Sequence, residues 1–273
     1  MTNDMFANID GMAAENIQII ASRLEARAGI EAFANMRDQY FDAMNLAHDA
    51  RLLELGGGTG IVGRAYARRP GFTGQYVVSD LSTSFIEFAK DKGREDGLSD
   101  VMDFRIVNAM TGAGLDGEKF DAVIMHTLIS HVPDPVAVLR TAAATVKPGG
   151  IIAVFDGDYA SMKIVSGDEA RDAVVDEALQ INGVAQPVIM RHVPRIARTL
   201  GLTPEAVHPH FLSEVGGSTF FIGLAEAIGR VAVDQGDLAK DTEEAWIADL
   251  HMAIENNCFF GMCPYFTYLY RKP

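Results

Sequence analysis

The sequence predicts an α/β fold built on a mostly parallel sheet, and three observations carry that expectation. A short apolar strand at 51–55 runs straight into a glycine-rich turn, Gly56-Gly57-Gly58-Thr59-Gly60, before a helix opens. Further apolar runs follow at 75–79, 101–107, 120–125 and 150–155, separated by helical stretches near 60–69, 82–96 and 134–147. Strands that alternate with helices of this length pair in parallel through right-handed crossovers. The chain is also long enough, at 273 residues with 48% hydrophobic content, to bury a full core. Its mean hydropathy is near zero, as in a soluble globular protein.

Taken in order, the elements are these. Residues 15–46 carry helical periodicity, with Ile30, Phe33, Met36, Tyr40, Phe41 and Met44 recurring at three and four, and this helix leads towards the glycine turn. The strand–helix alternation occupies 51–155. Ligands on such sheets bind at the carboxyl ends of the strands, beside the first strand. After residue 160 the rhythm becomes helical, with segments near 168–180, 188–200 and 218–234. A last helix at 241–256 has Asp241 and Glu244 in capping-box spacing and buries Trp246, Leu250 and Ala253 along one face. A strand at 205–213 contains Pro209, which cannot donate to a ladder and so belongs at a sheet edge. Tyr265-Phe-Thr-Tyr-Leu-Tyr270 reads as a final strand. No internal repeat, low-complexity tract or linker interrupts the chain.

Charge and composition exclude several classes. With 23 basic against 37 acidic residues the net charge is −14, which makes nucleic acid a poor partner. The basic clusters are Arg64-Arg68-Arg69 and Arg191-Arg195-Arg198, the second at the spacing of a solvated helix face; Arg191 and His192 are read as packing residues. No apolar run approaches the roughly 20 residues needed to span a bilayer, so no membrane is expected. Met1-Thr-Asn-Asp-Met-Phe6 has neither a basic nor an apolar leader region. The expectation is a cytoplasmic protein in which Cys258 and Cys263 stay reduced.

The glycine turn by itself has two readings. Gly58, Gly60 and Gly63 fit the G-x-G-x-x-G pattern of dinucleotide sites, and Asp80, twenty residues past Gly60, could hold a ribose in either reading. The stations downstream decide. Glu54-Leu-Gly-Gly-Gly-Thr-Gly60, Val77-Val-Ser-Asp80-Leu-Ser82, Ile106-Val-Asn108-Ala-Met110, Phe120-Asp-Ala-Val-Ile-Met-His126 and Val146-Lys-Pro-Gly-Gly150-Ile-Ile-Ala-Val-Phe155 stand in register. Together they resemble the small-molecule, class I S-adenosylmethionine-dependent methyltransferases, closely over about 50–160 and loosely to the C-terminus.

The resemblance implies a Rossmann-like fold: a central seven-stranded, mostly parallel sheet with an antiparallel last strand, helices on both faces and a helical lid. It implies a division into an N-terminal helical cap (1–48), a cofactor-binding core (49–160) and a C-terminal part (161–273) that completes the sheet and adds lid and substrate-pocket insertions. The cofactor would be S-adenosyl-L-methionine and the product S-adenosyl-L-homocysteine. Gly56, Gly57, Gly58 and Gly60 would let the backbone lie against the methionine and ribose. Asp80 would accept from both ribose hydroxyls, with capping of the next helix as a compatible role. Glu54 would stand near the amino-acid end of the cofactor or, equally, satisfy backbone amides. Asn108 and Ala109 would border the adenine; the family usually has Asp where Asn108 stands. Leu81 and Met110 would clamp the adenine faces or pack in the core. His126 would leave the fourth strand beside the cofactor.

The acceptor is expected to be a small molecule methylated on oxygen or nitrogen, less favourably on carbon. His126 and His131 are candidate bases or positioning groups, since imidazole titrates near neutrality. Asp156, Asp158 and Tyr159, just past the fifth strand, are candidate substrate contacts; the two acids could instead be turn residues satisfied by amides. No third oxygen ligand accompanies them, so no metal is expected. A cofactor-binding protein without transferase activity is the alternative. Methylation of protein or RNA is disfavoured by the acidic charge and by His126-Thr-Leu-Ile129 where an Asn-Pro-Pro-Tyr motif would stand. A homodimer stays open.

Overall fold

In the computed structural model, which describes Phe6 and residues 9–273, apolar residues alternate across the central strands and so build a core on each sheet face. In β1 (Arg51–Leu55), β2 (Gln75–Asp80), β4 (Phe120–His126) and β5 (Val146–Gly157), residues Leu52, Val78, Ile124 and Ala153 lie in one core. Their neighbours Leu53, Val77, Val123 and Val154 lie in the other. With β3 (Met102–Ile106) these strands are parallel, in the order β3-β2-β1-β4-β5.

The sheet then reverses. β8 (Phe259–Arg271) runs antiparallel to β5, from Ile151 opposite Arg271 to Gly157 opposite Tyr265. β7 (Thr203–Gly216) pairs only with β8 and forms the far edge, where Pro204 and Pro209 cost no ladder bond to a further neighbour. The expected seven strands become eight through β6 (Lys163–Val165), three residues that pair with β8 beyond the point where β5 leaves it.

Helices cover both faces. α2 (Glu31–Met44), α3 (Ile61–Ala67) and α4 (Thr83–Glu95) pack on the first core, and α5 (Pro135–Thr145) and α7 (Val193–Thr199) on the second. Ser82 caps α4 by accepting from the Phe85 amide at 3.2 Å, and Asp134 caps α5 by accepting from Ala137 at 2.9 Å. The cap of α4 is reinforced from outside. Asp10 accepts from the Thr83 and Ser84 amides at 2.8 and 3.1 Å and from the Ser82 hydroxyl at 2.6 Å. Burial alone would raise the Asp10 pKa; these hydrogen bonds outweigh it and bring it down to about 2. α6 (Glu169–Asn182), α8 (Phe221–Gln235) and α9 (Lys240–Glu255) pack together and extend the first core, where Trp246 is buried and donates its indole N–H to Asp172 at 3.0 Å.

Three sequence expectations are corrected. The helix at 15–46 is two helices, α1 (Ala14–Ala28) and α2, because Gly29 closes the first and Ile30 takes an extended conformation, with ψ of 125°, before the second. The segment at 188–200 is a 3-10 turn at Ile189–Arg191 followed by α7, whose first turn holds Pro194. The capping box at Asp241 and Glu244 does not form. α9 starts at Lys240 behind Ala239, and Asp241 lies inside the first turn, where its charge suits the helix dipole.

Both cysteines are free, as expected, and no helix among the described residues is long and apolar enough to cross a membrane. The arginine cluster after the glycine turn is consumed by ion pairs. Buried Arg64 meets Glu25 at 2.5 Å, Arg68 meets Asp96 at 2.5 Å, and Arg69 pairs with Asp42.

Candidate active site

The carboxyl ends of β1, β2 and β4 open into a cavity of about 400 Å³. Backbone conformation shapes its floor. Gly56 has φ of +67°, and a Cβ there would stand 2.4 Å from Cδ1 of Leu128, so both the torsion and the space demand glycine. Gly60, at φ of +73°, starts α3 and does not line the cavity. Gly56, Gly57 and Gly58 do, with Glu54, Asp80, Leu81, Asn108, Ala109, Met110, His126 and His131. Residues spread over nearly eighty positions of sequence thus come together at one mouth.

Asp80 ends β2 and ties the floor to the wall. Its Oδ2 accepts from the Gly58 amide at 2.9 Å and its Oδ1 from the Ser82 amide at 2.9 Å. Burial raises its pKa, and these two amides work against that rise. Glu54 is wholly buried beneath the turn and accepts from the Tyr76 hydroxyl at 3.2 Å. Burial pushes its pKa up to about 8, opposed by Tyr76 and reinforced by the charge of Asp80. Its carboxyl is therefore protonated at neutral pH. Asn108 turns its Oδ1 on its own loop, accepting from the Met110 and Thr111 amides at 3.0 and 3.2 Å. Its oxygen shapes the loop that carries Met110.

His126 closes the cavity at the end of β4. Its Nδ1 lies 3.0 Å from the Tyr40 hydroxyl, and its ring stacks on Phe155 with centroids 4.4 Å apart. Burial holds its pKa well below the ordinary histidine value, and the charges of Arg27 and Arg37 add to the effect. It is a neutral, fixed ring. Arg27 itself was not anticipated from sequence. It donates to Thr127 Oγ1 at 2.9 Å and lies over the Phe33 ring at 5.6 Å.

A second cavity, of about 440 Å³, lies between α1, α6, α8 and the strand β8. Phe6, Leu24, Arg27 and His131 belong to the walls of both. Of the three candidate substrate contacts Tyr159 alone lines either of these two cavities, and it is the second one. Asp156 and Asp158 are engaged within the fold. Asp156 is buried and holds the loop after β4, accepting from Ser130 N and Oγ at 3.1 and 3.0 Å and from the Gly157 amide at 2.9 Å. Asp158 pairs with Arg191 Nε at 3.0 Å and accepts from Ser161 Oγ at 2.8 Å. Both line neither cavity; each satisfies a neighbour instead. Among the described residues no group of three or more His, Cys, Asp and Glu side chains is placed to hold a metal ion.

The walls supplied by α1 were also missed. Leu24, Arg27 and Ala28 line the first cavity, together with Phe33 and Arg37 of α2. Their helical periodicity was visible, but periodicity does not tell a residue facing a core from one facing a ligand.

Residues 53–152 match the family described as methyltransferase domain. A ubiquinone biosynthesis O-methyltransferase of Xanthomonas axonopodis pv. citri (strain 306) is 31% identical over 121 residues, covering 44% of this chain and 48% of that protein. The chain thus spans about half the length of the curated relatives it matches. Among solved structures, phosphoethanolamine N-methyltransferase 2 of Haemonchus contortus, in complex with S-adenosyl-L-methionine, superposes with a TM-score of 0.58 at 15% identity, covering 100% of this chain and 60% of that one. The cyclase SpnF superposes with a TM-score of 0.57 at 21% identity, covering 89% and 82%. At these identities the structures share the fold.

Proposed function

We propose that this chain transfers a methyl group from S-adenosylmethionine to an oxygen or nitrogen of a small molecule, carbon being the least favoured acceptor; the match of residues 53–152 to the methyltransferase domain family and the shared fold support this reading. The observation that carries the reading is Asp80: a carboxylate held at the rim of a glycine-floored cavity by the amide of Gly58. A ribose offers two hydroxyl donors to such a group. Gly56 and Gly57 let the turn pack closely on Leu128 and Val78, where an added Cβ would clash, and the Gly56–Gly58 backbone lines the cavity without side chains.

When bound, the cofactor supplies an electrophilic methyl group on its sulfonium. The chain's own residues bind and orient. Asp80 accepts from the ribose. Leu81 and Met110 flank the base, and Asn108 and Ala109, in the loop that the Asn108 side chain holds, border it. Glu54, neutral below about pH 8, can accept from the cofactor's ammonium group once its proton leaves. Holding donor and acceptor in line contributes much of the acceleration, since effective molarity alone can be worth about 7–11 kcal/mol. His131, in the wall common to both cavities, takes the acceptor's proton. His126, whose pKa is held low, positions rather than deprotonates. The O-methyltransferase relative supports oxygen as the acceptor atom. A cofactor-binding protein without transferase activity is the second reading; the same fold is found in the cyclase SpnF, whose name is not that of a transferase.

Calorimetry with S-adenosylhomocysteine tests the reading. Wild type binds saturably, and Asp80→Ala weakens binding about 10- to 100-fold, the worth of charge-assisted hydrogen bonds. His131→Ala leaves that affinity within about 3-fold and lowers turnover on a panel of phenols and amines about 100-fold or more. No binding by wild type sinks the proposal; binding with no methyl loss on any acceptor favours the second reading.

A further inference from the structure

The second cavity differs sharply in charge from the molecule around it. The chain carries 37 acidic residues against 23 basic ones, yet no Asp or Glu lines this cavity, while Arg23 and Arg27 do. The rest of its wall is mainly apolar, with Ile20, Met162, Leu179, Leu224 and Ile228 among the lining residues. The two acids closest in sequence to its lining residue Tyr159 are already engaged, Asp156 by Ser130 and Asp158 by Arg191.

We propose that this cavity holds the methyl acceptor, and that the acceptor is an apolar molecule whose nucleophile is an oxygen that turns negative on losing its proton, such as a phenol or enol. The inference rests on the reading of the glycine-turn cavity as the cofactor's. A cavity of about 440 Å³ falls within the roughly 300–1,000 Å³ range of small-ligand sites. An ammonium acceptor entering it meets a wall that includes two arginines and no carboxylate residue, and ahead of it a sulfonium. An oxyanion meets the opposite field. Arg27 sits where that field matters, in the wall common to both cavities, its guanidinium fixed by Thr127 Oγ1 and the Phe33 ring. Arg27 is thus a specificity-determining residue. In the transfer, the acceptor's O–H proton goes to His131, the oxygen forms a bond to the methyl carbon, and the carbon–sulfur bond breaks with its electron pair left on the sulfur.

The test uses two probes of similar shape, 2-naphthol and 2-naphthylmethylamine, titrated into the protein with and without S-adenosylhomocysteine. Gly223 of α8 lines the cavity, and a Cβ there would meet nothing within 4 Å, so Gly223→Phe starts its side chain into open space. Ala227→Phe, one turn further on the same helix, is the second filling variant. Expected are naphthol binding at least about 10-fold tighter than the amine, and a loss of at least about 10-fold in both filled variants with S-adenosylhomocysteine affinity held within 2-fold. Arg27→Met should bring the two probes within about 3-fold of each other, and Arg27→Lys should restore the preference. Equal binding of the two probes, naphthol binding unaffected by both fillings, or no naphthol binding overturns the proposal. Absence of S-adenosylhomocysteine binding to wild type strikes the cofactor reading instead, and the naphthol titration without it reads the second cavity independently.

Discussion

Arg64 of α3 and Glu25 of α1 meet at 2.5 Å and join the N-terminal helix to the helix that follows the glycine turn. Arg64 is 2% exposed and also faces Asp96 at 3.3 Å. Two turns of α1 therefore depend on a charge buried in the sheet's own helical layer, and those turns carry Leu24 and Arg27 into both cavities.

Replacing that charge should loosen the wall. Breaking a buried ion pair costs about 3–5 kcal/mol, and the partial exposure of Glu25 brings the expectation for Arg64→Met to about 1–3 kcal/mol. Hydrogen exchange should quicken across residues 14–28 more than across β1 or β4. Unchanged protection of α1 would mean the pair does not hold it.

Gly56→Ala should cost both stability and binding. A left-handed conformation is worth about 1–2 kcal/mol against alanine, and the new methyl must push Leu128 away from a 2.4 Å approach. A melting temperature several degrees lower, with S-adenosylhomocysteine affinity reduced at least about 10-fold, is expected. Gly97→Ala supplies a control: it shares a positive φ of +70° but has nothing within 4 Å and lies away from the cavity, so its affinity should match wild type.

Glu54 should make stability fall with rising pH. Its folded pKa is raised to about 8 from an ordinary value of 4.5 by burial. The folded state thus prefers the proton more than the unfolded chain does. The stabilisation is complete below the unfolded value, shrinks as pH rises above it, and is lost through about pH 8. Glu54→Gln keeps a neutral group in place, so its melting temperature should gain on wild type between pH 5 and 9. A constant difference between the two proteins would refute the buried, protonated assignment.

What could be read in advance follows from how local the chemistry is. The glycine turn, Asp80 and His126 announce themselves because each sits at the end of a strand whose alternation is visible in a few residues, and parallel pairing brings those ends together. Asp156 and Asp158 left two readings open because an acid after a strand looks the same whether it faces a ligand or a partner. Their partners, Ser130 and Arg191, lie 26 and 33 residues away in the chain. The break at Gly29 and Ile30 was hidden by periodicity that runs through it unchanged. The second cavity was least legible, since its walls come from α1, α6, α8 and β8 and exist only once those elements pack.

Within 53–152, the stretch that matches the methyltransferase domain family, His131 alone contributes to the second cavity. On the proposed reading, ancestry and appetite are therefore written in different parts of this polypeptide. Substitutions along α1, α6 and α8 should then alter which small molecules the second cavity takes while leaving the matched stretch untouched.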